Sequence, residues 1–238
     1  MRQEKAGALL RFGAATLLVG LGIGIAFARF PGGYDWAYTV ISKLASVRQN
    51  PTGGRWLAGS LLAAVVFLWP VARYLDETFS RSGSRPRHSV TSLRIGLVGG
   101  ALLGLEGVFT LDFSRRLHKA HEALALITFV GFYGGVLGLY LDRIRRDRSF
   151  LPPALLVILP LCAVGLTQFV LYLGQRDLGW VNTDWRELGV PFWLSFAFWQ
   201  WLAVAFLGFG LGYLIAAGDR IGRPQMERGE DRAGSRTT

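Results

Sequence analysis

The sequence predicts an all-α protein, a bundle of six transmembrane helices with both termini in the cytoplasm. Three observations carry that expectation. Of 238 residues, 51% are hydrophobic and only 18% charged, against about 25% charged in an ordinary soluble domain. The charges bunch into short clusters, leaving apolar stretches of roughly 17 residues or more, the length an α-helix needs to cross about 30 Å of hydrocarbon. Those stretches also lack the polar face that a soluble amphipathic helix shows every turn. Inside lipid each backbone N–H and C=O must be paired within its own segment, so the stretches are predicted to be helical.

The first span covers 12–28, preceded by Arg2, Lys5 and Arg11. Ala26-Phe27-Ala28 matches a signal-peptide cleavage pattern, but the apolar run exceeds the usual 7–15 residues and more spans follow, so an uncleaved first helix is expected. The second span covers 56–74 with Pro70 near its end, and the third 93–111. The fourth covers 120–141 and the fifth 151–173. Pro152 and Pro153 open the fifth, where missing N–H groups cost little, and Pro160 is interior and predicted to kink it. The sixth covers 190–217. Residues 1–217 therefore form the membrane domain, and 218–238, polar and rich in Gly, Arg and Glu, a disordered tail.

Lys and Arg in the connections set the orientation. With the N-terminus inside, 15 of the 26 fall on the cytoplasmic side and 9 on the other, Arg73 and Arg94 being at helix ends. The net charge of +10 thus reads as attraction to anionic lipid headgroups on the cytoplasmic side. It does not read as nucleic-acid binding, for which no module is recognisable. Cys162 is the single cysteine, so no intramolecular disulfide forms. Gly96, Gly100 and Gly104, Gly131 and Gly135, and Gly208 and Gly212 repeat at helical spacing inside apolar runs. Small residues four apart let membrane helices approach closely, so these are packing glycines.

Polar residues that lipid would reject gather on the outer side. Glu106 lies inside the third span, Asp112 closes it, and His118, His121 and Glu122 open the fourth. The first outer loop carries Ser42, Lys43 and Asn50, and the third carries Asp184. No comparable acid is expected deep on the cytoplasmic side. An ionised carboxylate in hydrocarbon costs several kcal/mol, so Glu106 should face the bundle interior, as a proton carrier, ligand anchor, catalytic acid or interhelical hydrogen-bonding residue. His118 and Glu122, four apart, share a helical face, while Glu122 also suits the positive end of the helix dipole. His118, His121 and Asp112 are the candidate metal ligands; zinc is the metal such a set would suit, although the spacing is not H-E-x-x-H. No cofactor is expected beyond that. Tryptophans and tyrosines towards the outer half read as an interfacial belt, and Gln168 and Gln200 as bonding across to neighbouring helices.

These features frame three readings of function: lipid binding or membrane-lipid organisation at an outward-facing polar pocket, a membrane-embedded, metal-assisted hydrolase or transferase acting on lipid, and a proton-coupled transporter using Glu106. Four elements then resemble the prokaryotic family called domain of unknown function 998, related to DRAM-like six-transmembrane proteins. They are the first helix, the loop with Tyr38 and Ile41-Ser42-Lys43-Leu44, Asn50-Pro51 with a glycine before the second helix, and His118 opening the fourth. Lys43 stands where the family usually carries an acidic residue. The resemblance spans roughly residues 8–217 and implies six transmembrane helices, no established cofactor and a place in a prokaryotic cytoplasmic membrane. Eukaryotic relatives are implicated in membrane-lipid organisation, which implies a lipid-related role.

Overall fold

The computed structural model describes residues 2–83, 86–109, 120–174, 189 and 191–221. Among them there is no strand, and the helices are α1 (Arg2–Ala28), α2 (Ile41–Ala45), α3 (Gly54–Arg81), α4 (Arg87–Phe109), α5 (Ala120–Ile144), α6 (Leu151–Gly174), α7 (Phe196–Ala216) and α8 (Gly218–Ile221). Six of them, all but α2 and α8, are long and apolar enough to cross a membrane. Their outer surface agrees: Leu10, Leu17, Val66 and Leu166 are each more than 60% exposed. In water such a surface would be an aggregation hazard, whereas in lipid it is solvated. The chain is an integral membrane protein.

Neighbours in sequence pack as neighbours in space, α1 on α3, α3 on α4 and α4 on α5, with α6 and α7 as a further pair. Two tyrosines tie the pair to the rest. Tyr133 and Tyr140, two turns apart on α5, donate to the carbonyls of Ala203 (2.7 Å) and Gly210 (2.8 Å) on α7. Equal steps of seven on both helices mean that α5 and α7 run parallel. Replacing Tyr140 with Phe removes the interhelical donor and leaves the Gly210 carbonyl with only its bond inside α7. The expected cost is about 1 kcal/mol, the scale of interhelical hydrogen bonds in membranes. A thermal-unfolding midpoint in detergent unchanged from wild type would contradict it.

Several helices outrun the expected spans. The second, expected to end at 74, continues through Pro70 to Arg81. The cause is amphipathic: Leu75, Thr78 and Phe79 are buried while Glu77 and Ser80 point outward, a 3.6-residue rhythm that survives the first charges. Likewise α4 begins at Arg87 because Val90, Leu93 and Leu97 carry its packing face below the expected start at 93, and α1 begins at Arg2. Ala8, Ala15, Gly22 and Ala26 form the buried stripe of α1, so the Ala of the cleavage-like pattern sits in the packing face. The sixth span starts later than expected, at Phe196. Pro191 and a 3-10 turn at Phe192–Leu194 precede it, and the Ser195 side chain caps it by accepting from the Phe198 N–H at 3.1 Å. Of the stretch expected to be tail, Gly218–Ile221 is a helical turn with Ile221 fully buried. Residues 222–238 lie outside the described residues.

Both described chain ends meet at one end of the bundle. Lys5 Nζ pairs with Asp219 at 2.6 Å, and Arg81 pairs with Glu4 at 2.9 Å. This is the terminal end, and residues 29–53 form the opposite, loop end. Glycines bring α4 and α5 together between them. A Cβ built on Gly96 would lie 2.6 Å from the Phe132 nitrogen, and one on Gly135 2.7 Å from Leu93 Cβ. Gly104 presses on α3 and Gly212 on the Phe12 ring, as expected of packing glycines. Gly208 meets nothing within 4 Å and Gly100 is in ordinary contact, so those two do not depend on lacking a side chain.

Candidate functional site

At the loop end, residues 29–53 fold into a cap over α1, α3 and α7. Asn50 is its hub and is fully buried. Its amide donates to the carbonyls of Ala26 (2.8 Å) and Leu44 (3.0 Å) and accepts from the Gly53 N–H at 3.0 Å. Tyr34, buried among Phe27, Phe30 and Trp201, donates to the Thr39 carbonyl at 2.7 Å. Burial pushes its phenol above the ordinary tyrosine range, which keeps it a neutral donor. From α7, Gln200 bonds across as expected, its side-chain carbonyl accepting from the Ile41 N–H at 2.9 Å, and the Ser195 hydroxyl donates to the Ala37 carbonyl. Polar side chains here hold backbone that lipid would otherwise leave bare. Arg29 lies over the Trp56 ring at 5.8 Å, a cation–aromatic contact suited to the interface.

Beside the cap stands Glu106, partly buried on α4. The α4–α5 contacts pair Gly96 with Gly131 and Gly99 with Thr128. In this antiparallel register the two positions sum to the same number, so Glu106 falls level with His121. Seven residues are two turns to within about 20°, so positions 106 and 121 share the faces of Gly99 and Thr128, which meet each other. On the other side of α4, the Ala45 carbonyl at the end of α2 lies 3.9 Å from a Cβ built on Gly107. The fold therefore collects Glu106, position 121 and the short helix α2, where Ser42 is exposed, at one end. Asn50 is at the same end with its amide engaged by backbone. Asp112, His118 and Asp184 lie outside the described residues, as do the side chains of His121 and Glu122. Among the described residues, no three His, Cys, Asp or Glu side chains group closely enough to hold a metal ion. The three candidate ligands, His118, His121 and Asp112, are not among the side chains so described.

The terminal end holds acids that reading from the apolar runs missed. Asp76 pairs with Arg94 at 3.1 Å, an ion pair between α3 and α4. On α5, Asp142 has one carboxylate oxygen buried without a hydrogen-bond partner among the described residues. Arg143 donates to the Arg220 carbonyl at 2.9 Å, and both guanidinium groups lie within 6 Å of the Phe150 ring. Asp76 and Asp142 lie near the terminal-end termini of α3 and α5. The overlooked signal was helical periodicity continuing past the first charged residue.

No family model, curated protein or solved structure matches this chain.

Proposed function

We propose that the protein binds lipid at a polar pocket open at the loop end, without transporting it, and so organises membrane lipid. The observation that carries this reading is Glu106: an ionisable residue within a membrane-spanning helix, set by the α4–α5 register level with His121 and flanked by α2. Such a group in a membrane interior marks a ligand or proton site by default. The loop end faces outward in this reading, supported by the 15-to-9 division of basic residues. Asp112, His118, Glu122, Ser42 and Asp184 complete the proposed pocket. The resemblance to the domain of unknown function 998 family supports a lipid-related role and a prokaryotic cytoplasmic membrane.

Changing Glu106→Gln, Asp112→Asn and His118→Gln together is expected to weaken binding of a fluorescent phospholipid to purified protein by roughly tenfold or more, about 1.4 kcal/mol. Unchanged binding in a folded triple variant removes the reading. Stoichiometric zinc in the purified protein, lost in the same variant, would replace it with the metal-assisted enzyme.

A further inference from the structure

On the outer surface between α4 and α5 runs a crevice of ≈ 340 Å³. Its walls are Ile95, Val98 and Leu102 from α4 and Leu124 and Ile127 from α5, and Gly99 lines it where α4 comes close to Thr128 of α5. Thr91 and Arg94 close it at the terminal end. From Arg94 to Leu102 the helix rises about 12 Å, close to the roughly 15 Å depth of one hydrocarbon leaflet. The crevice has the length and the apolar lining for one acyl chain.

Its head is cationic. Arg87, Thr91 and Arg94 recur at steps of four and three, so they share one face of α4, and Arg87 and Thr91 are exposed. Because α4 starts at the terminal end and helical side chains lean towards the N-terminus, Arg94 leans towards Thr91 and Arg87. Asp76 meets one terminal nitrogen of Arg94 at 3.1 Å, and the Arg94 side chain stays 36% exposed on the face that lipid covers. A guanidinium has five N–H donors in a planar fork, and one carboxylate contact through one nitrogen leaves most of them available. Hydrocarbon cannot satisfy those donors, and a phosphodiester can, in the bidentate manner arginine favours. Two arginines and a hydroxyl against one carboxylate leave the head of the crevice net positive.

We infer that this crevice is a binding site for an anionic phospholipid of the terminal-end leaflet. The phosphate is held by Arg94 with Thr91 and Arg87, and one acyl chain lies along Val98 and Leu102. Asp76 competes for the guanidinium and so tunes the site. This goes beyond the loop-end pocket and shares no residue with it.

The test is native mass spectrometry of the delipidated full chain, titrated with an equimolar mixture of phosphatidylglycerol and phosphatidylcholine carrying the same acyl chains. Wild type is expected to retain phosphatidylglycerol preferentially by about fivefold, the worth of one basic residue at a membrane surface, and Arg94→Gln to lose that preference. Asp76→Asn, which keeps the cation and removes its competitor, is expected to raise it. Leu102→Trp, which fills the crevice, is expected to lower retention of both lipids. Equal retention of the two lipids by wild type overturns the proposal, as does an Arg94→Gln protein with the wild-type ratio. If Arg94→Gln does not fold, the other two variants decide: wild-type retention in both means that the ion pair is structural only and the crevice is filled by bulk lipid.

Discussion

Asn50→Ala is expected to unfold the cap at the loop end and to cost about 3 kcal/mol or more. The side chain is fully buried and makes three hydrogen bonds, all to backbone, joining the end of α1, the end of α2 and the turn before α3. Truncation leaves two carbonyls and one N–H unpaired away from water, each worth about 1–3 kcal/mol when orphaned. For a chain of this size that lowers the unfolding midpoint on the order of 10 °C. Asn50→Asp is a sharper probe, because it keeps the acceptor for Gly53 and loses both donors. Both variants are read by intrinsic tryptophan fluorescence during heating in detergent. Two midpoints within 2 °C of wild type would show that the cap is held by its aromatic cluster instead.

Gly131→Leu is expected to be more damaging, with little folded protein recovered. A Cβ on Gly131 would lie 2.5 Å from the nitrogen and 2.6 Å from the Cα of Gly96. Those are backbone atoms of the facing helix and cannot rotate aside, so α4 and α5 must part. Overpacking a well-fitted interior costs about 1–3 kcal/mol where side chains can adjust, and here the contact is backbone on backbone. Separation would also stretch the bond from the Ser92 hydroxyl to the Gly131 carbonyl, now 3.1 Å. Gly165→Leu is the control, since a Cβ there meets nothing within 4 Å. Size-exclusion chromatography of the two variants in detergent separates the cases. A monodisperse Gly131→Leu peak at wild-type yield would mean that the helices are not so close.

The two sites differ in how far they could be foreseen. Glu106 stood out in the sequence because one carboxylate interrupts an apolar run, and the register then supplied its neighbour at position 121. Asn50 also stood out as a polar residue in the outer loop, yet nothing in the string tells a pocket amide from one bound to three backbone groups. Those partners lie up to 24 residues away in sequence. Asp76 was overlooked because it follows the last apolar residue of its run, and its partner Arg94 belongs to another helix. Gly96 and Gly208 look alike in sequence, each in a small-xxx-small repeat, but only the first faces a helix closely.

What the sequence determined alone is the solvent. Uninterrupted apolar runs of membrane length leave the backbone no option but six helices, since in lipid every peptide group must bond within its own segment. What only the tertiary structure decided is which faces of those helices meet. Lipid is as apolar as leucine, so hydrophobicity does not say which side of a spanning helix turns inward. That choice rests on close backbone approach at Gly96 and Gly131, on the Tyr133 and Tyr140 bonds to α7, and on Asn50 closing the cap. Each is a contact between distant parts of the chain, visible only once the helices stand side by side.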